Sequence, residues 1–136
     1  MLWESPEEKP SSLLPRLREE RNLEFVVVNG ENSAAGAGIA PKILDELLAA
    51  GVDVITSGDH VYDNKDVFAC IDHERLLRPY NYVAAARGRG YGVYESKSGI
   101  RIAVGLLAGQ VFMEMAAKAA SESAILIVYS HAEATS

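Results

Sequence analysis

One cysteine, Cys70, is all the thiol chemistry this sequence has. No internal disulfide can close and no thiolate zinc cluster can be built from a single chain, so a reducing, cytoplasmic setting is expected. Basic residues are also outnumbered: 13 Lys and Arg against 19 Asp and Glu leave a formal net charge of -6 and a pI near 5.0. Strong binding to duplex nucleic acid needs clustered cations and is not expected from that balance; a phosphate ligand would be met by metal ions or backbone amides instead. No apolar run is long enough to cross a bilayer, and the acidic, proline-broken start MLWESPEEKPSS has no signal-peptide core, so neither a membrane span nor classical export is expected. No linker or repeat interrupts the 136 residues. A single domain over 1–136 is expected, with residues 1–12 as a loose arm.

The apolar residues that are present, 49% of the chain, fall into short runs of the kind that form buried strands. Phe25 to Val28 stops at Asn29 and Gly30, Val52 to Thr56 stops at Ser57 and Gly58, and Ala124 to Tyr129 stops at Ser130. Between the first two lies the clearest helical signal, Pro41 followed by KILDELLAA and closed by Gly51. The spacing further predicts helices over Leu13–Arg21, from Asp63 or Asn64 to Ile71, and over Met113–Ser121, with a hairpin of Val93–Glu95 and Ile100–Leu107 about the turn SKSG. LRPYNYV and RGRGYG read as irregular connections. Alternating strands and helices imply a mainly parallel α/β sheet covered on both faces.

In such sheets the loops after the carboxyl ends of the strands converge on one edge, where ligands bind. Three of these loops carry metal-ligating or proton-transferring residue types: Glu31 and Asn32, then Asp59 and His60, then His131 with Glu133. Taken singly, each is explained by the polarity of turns; their recurrence on one expected edge points to a divalent-metal site, since carboxylate, amide and imidazole form a hard-to-borderline donor set. Gly36 and Gly38, ahead of Pro41, would let backbone amides approach a phosphate, without completing a G-x-G-x-x-G spacing. Cys70 reads as a small core residue, His73 as solvent-facing, and Tyr62, Arg87 and Arg89 as structural or solvated before they read as phosphate or base contacts.

NGEN at Asn29–Asn32, AGVDVITSGDH, LLRPYNY, GRGYGV, QVFM and HAEATS occur in order between Leu13 and Ser136. Together they resemble the YmdB-like branch of the calcineurin-like metallophosphoesterases. The resemblance implies a layered αββα sandwich and a hydrolase that binds two transition metals, iron or manganese, and cleaves phosphodiesters including 2',3'-cyclic nucleotides. Carried over position by position, Glu31 would bridge the metals and Asp59 and His131 would ligate the second. Asn32 would lie beside the metals, close to the phosphate, and His60 would be the acid that protonates the leaving oxygen.

The pattern is incomplete. Where the family opens on a strand ending in a G-D aspartate, this sequence has MLWESPEEKPSS; the family's H-x-H pair lies past the position of Ser136; and Asp59 stands for the Asn of a G-N-H motif. The three ligands present suit one open metal position, and an incomplete sheet leaves edges that invite a homo-oligomer able to supply the rest in trans. Two readings follow: a phosphodiesterase whose activity is weak or depends on assembly, and a catalytically inactive remnant acting as a binding or assembly module.

Overall fold

The computed structural model describes residues 10–30, 39–58, 61–62, 65–80, 86–107 and 112–130. Among the described residues, three α-helices, α1 (Pro10–Glu20), α2 (Pro41–Ala49) and α3 (Phe112–Ser121), accompany six strands. The strands are β1 (Val27–Asn29), β2 (Val54–Thr56), β3 (Leu76–Leu77), β4 (Tyr91–Glu95), β5 (Arg101–Leu107) and β6 (Ile125–Ser130). None of the described helices is long and apolar enough to cross a membrane.

The strands form two sheets, not the one that strand–helix alternation suggests. One is parallel throughout, in the order β1-β2-β3; the other has the order β4-β5-β6, with β4 antiparallel and β6 parallel to β5. The reason lies in the two-residue period of the strands. In β1 to β3 both faces are apolar, so the sheet must be covered twice. Val26, Val28, Ile55 and Leu76 face α1 and α2, where Leu14, Leu44 and Leu47 complete one core. Their alternates Val27, Val54 and Leu77 point the other way and meet Ile102, Val104, Tyr94 and Ile127 of the second sheet. Each such fully buried side chain contributes about 1.5–3 kcal/mol relative to exposure.

The outer face of β5 carries small residues. Ala103 is fully buried, and a Cβ on Gly105 would come within 2.1 Å of the sulfur of the buried Met115 on α3. The absence of a side chain at Gly105 therefore admits α3 against the sheet. The layers run helix, sheet, sheet, helix: the αββα sandwich that the resemblance implies.

Several local readings are corrected. Pro10, Ser11 and Ser12, expected in the arm, are helical; residues 1–9 lie outside the described residues. The helix expected to run to Ile71 is a 3₁₀ turn over Lys65–Ala69. LRPYNYV, expected to be irregular, begins inside β3, because Leu76 and Leu77 alternate between the two cores as any strand of this sheet does.

The three described helices end alike. Leu23 N donates to Arg18 O, Val52 N to Leu47 O and Ala124 N to Ala119 O, each spanning a residue in the left-handed region: Asn22, Gly51 and Ser123 at φ 50°, 102° and 53°. These are Schellman closures, which satisfy the terminal carbonyls and turn the chain into β1, β2 and β6. Glycine suits that conformation and serine does not. Ser123→Gly is therefore expected to raise stability by roughly 0.5–1 kcal/mol, and Gly51→Ala to lower it by a similar amount, both read from urea unfolding.

Burial pushes the Tyr94 phenol from 10.0 up to about 12, with its hydroxyl donating to Glu74 O at 2.5 Å. The folded state thus favours the neutral phenol. That contribution is complete below the unfolded value and is lost as pH rises from 10 through 12. Tyr94→Phe is expected to flatten the fall of stability over this range, measured by denaturant titration at stepped pH.

Candidate functional site

The described carboxyl ends of β1, β2, β3, β5 and β6 lie along one edge, with β4 running the other way. Gly30 N donates to Thr56 O at 2.8 Å, and Ser57 donates to Leu77 O through both its N–H and its hydroxyl, each at 2.8 Å. This laces the ends of β1, β2 and β3 side by side. Past Leu77 the chain crosses to the other sheet: Arg78 N donates to Arg89 O at 2.8 Å and Tyr80 N to Leu106 O at 2.7 Å. Pro79 bridges Leu106 in parallel sense, so β3 and β5 point the same way, and β6 runs parallel to β5 up to the Leu107–Ser130 pair. One peptide segment, Leu76–Tyr80, therefore aligns the carboxyl ends of both sheets.

None of the five residues expected to act falls among the described residues: Glu31, Asn32, Asp59, His60 and His131 all lie outside them, as does Glu133. Three of them attach directly to described residues at the strand ends. Glu31 is the residue after Gly30, Asp59 the residue after Gly58, and His131 the residue after Ser130. Among the described residues no three His, Cys, Asp or Glu side chains come together.

Two groups at this edge were not singled out by sequence reasoning. Thr56 is fully buried at the end of β2, and its hydroxyl has no partner among the described residues. Arg78 is 7% exposed, with its guanidinium donating to Arg87 O at 3.2 Å through Nε and to Pro79 O at 2.8 Å, and it makes no ion pair with a described carboxylate. A β-branched run closing on threonine, and an arginine ahead of a proline, are too common to have marked either.

The connections beside this edge are built by Tyr62, Phe68 and the Arg87–Gly90 segment. Tyr62 stacks on Phe68 with centroids 5.7 Å apart, and Arg87 caps Phe68 at 5.5 Å while pairing with Asp72 at 2.9 Å. The hydrogen bond from Arg87 holds the exposed Asp72 carboxyl below its usual range, and burial raises both the Tyr62 phenol and the Cys70 thiol. Cys70 is half-buried against the helix-side core and His73 is exposed, both as expected. Burial that raises the thiol leaves Cys70 poorly suited as a nucleophile.

The opposite edge is occupied by structural polar contacts. Asp53 accepts from Val26 N and Arg18 at 2.8 Å each, and Arg75 donates to Asp53 O at 2.8 Å. Arg18, Asp53 and Arg75, with Gly51, His73 and Glu74, line an open depression of about 460 Å³ at the amino end of β2, away from the strand ends described above.

A family model of YmdB-like proteins matches residues 8–136. The chain belongs to the YmdB-like family. A Bacillus subtilis relative named 2',3'-cyclic-nucleotide 2'-phosphodiesterase is 35% identical over 135 residues, covering 90% of this chain and 51% of the relative. Among solved structures, a hypothetical protein of Thermus thermophilus superposes with a TM-score of 0.77 at 30% identity, covering 92% of this chain and 52% of its own. A Mycoplasma pneumoniae phosphatase superposes with a TM-score of 0.73 at 23% identity over 90% of this chain and 50% of its own, a likeness of fold. The chain spans about half the length of these relatives.

Because the Thr56 hydroxyl is buried without a described partner, Thr56→Val removes no hydrogen bond seen here and keeps the shape of the side chain. We expect unfolding stability to hold or to rise by up to about 1 kcal/mol, checked by urea titration; a loss of that size would mean the hydroxyl is engaged.

Proposed function

We propose that this YmdB-like chain is a metal-dependent phosphodiesterase acting on small phosphodiesters of the 2',3'-cyclic nucleotide type. The observation that carries the reading is that strand ends brought to one edge run directly into Glu31, Asp59 and His131. The name of the Bacillus relative supports the substrate class.

The donor set fits a transition metal, iron or manganese: two carboxylates and an imidazole leave room for water and substrate, as an open catalytic site requires. Glu31, Asp59 and His131 would hold it. When bound, such a metal supplies charge that neutralises phosphoryl oxygens and activates water. Asn32 would orient the phosphate by donating from its carboxamide. His60 would keep a proton on its imidazole and pass it to the ribose oxygen as the bond from phosphorus to that oxygen breaks, a transfer suited to a group that titrates near neutrality. A homo-oligomer in the cytoplasm is part of the same proposal, with neighbouring chains able to complete the metal's surroundings.

The test is metal content by mass spectrometry on protein purified without chelator, with hydrolysis of a 2',3'-cyclic nucleotide in added manganese. Bound metal and activity are expected in the wild type. Glu31→Ala should lose both, whereas His60→Gln should keep the metal and lower kcat by about 10²–10⁴-fold. Manganese at a hundredfold its Kd should stabilise the wild type by about 2.7 kcal/mol. No binding and no stabilisation would favour the inactive binding or assembly module instead.

A further inference from the structure

One carbonyl near the site edge accepts two side chains from different parts of the fold. Arg87 O takes the Tyr62 hydroxyl at 2.5 Å and Arg78 Nε at 3.2 Å. Tyr62 lies two positions after His60, and Arg78 belongs to the segment that crosses between the sheets. Arg87 is itself anchored, its guanidinium donating to Asp72 at 2.9 Å and to Phe68 O at 3.3 Å. The segment also lies hard against the crossing, since a Cβ on Gly90 would stand 2.6 Å from the Tyr80 Cα. At the other end, Val61 N donates to Gly58 O at 3.1 Å, joining the described residues on either side of Asp59 and His60 in the sequence.

We infer that Tyr62 is a positioning residue: through Arg87 O it ties the residues flanking Asp59 and His60 in the sequence, Gly58 and Val61–Tyr62, to the buried Arg78 and hence to the junction of the two sheets. The inference rests on the metal reading above for its consequence, and on these contacts alone for the clamp itself. The physical argument is one of tolerance. A ligand held on a loop keeps its geometry only when supporting hydrogen bonds remove the loop's freedom, and losing such a supporting partner costs about 10–100-fold in metal affinity. The Tyr62 ring is held separately by its stack on Phe68, so the hydroxyl can be removed while the ring stays packed.

Tyr62→Phe tests this, with Tyr94→Phe as a matched control that loses an equivalent hydroxyl-to-carbonyl bond at Glu74 O. Two quantities are measured on the full chain: amide hydrogen exchange at Val61, and manganese affinity by calorimetry. Tyr62→Phe is expected to speed exchange at Val61 about 10-fold with no change in Val54–Thr56, and to weaken manganese binding about 10-fold; Tyr94→Phe should do neither. Unchanged exchange at Val61 overturns the clamp. Faster exchange with manganese affinity equal to wild type overturns its role at the site. A wild type that binds no manganese sinks the metal reading and the site role with it, and the exchange comparison still decides whether the clamp exists.

Discussion

The alignment of the two sheets depends on the short segment Leu76–Tyr80. Its first half is a strand of one sheet, hydrogen-bonded to β2, and its second half pairs with β5 of the other. A chain that belongs to both sheets sets their relative direction and height. Pro79 has no N–H to give, and of the neighbouring donors Tyr80 N finds its acceptor in β5 of the second sheet and Arg78 N in Arg89 O, just ahead of β4. Without this crossing, packing between Val54, Leu77, Ile102 and Val104 would hold the sheets face to face but would say little about which ends lie together. Apolar contact is non-directional; hydrogen bonds to a shared strand are not.

The two edges of the sandwich are treated differently as a result. At the amino end of β2, Asp53 is consumed by Arg18 and Val26 N, contacts that hold α1 and the start of β1 in place. At the carboxyl edge, polar groups are buried with fewer obligations: the Thr56 hydroxyl has no described partner and Arg78 no described carboxylate. Burying polar groups in this way costs stability, and such costs are tolerated most often where function is built.

The helix ends show how local chemistry feeds this arrangement. Each Schellman closure reverses the chain within two residues and delivers it at the amino end of β1, β2 or β6. The strands then run toward the carboxyl edge. Gly51 suits the left-handed position it occupies; Asn22 and Ser123 occupy the same conformation at some cost, offset by the packing of Leu14 and Met115 on the helices they close.

Much of this was legible from residue patterns. Runs of β-branched residues ending in small polar ones marked β1, β2 and β6 to within two residues, and Pro41 with Gly51 bounded α2, because these signals arise from backbone sterics and capping, which act locally. The family followed from motifs whose order along the chain is itself sequence information. What only the tertiary structure decided was non-local. That β1 to β3 and β4 to β6 are separate sheets, that Leu76 and Leu77 are a strand, and that Arg87 O joins Tyr62 to Arg78 all depend on partners 9 to 27 residues away. No periodicity records such pairings, since hydrogen bonding between strands, unlike capping of a helix, is chosen by which surfaces meet once the chain has folded.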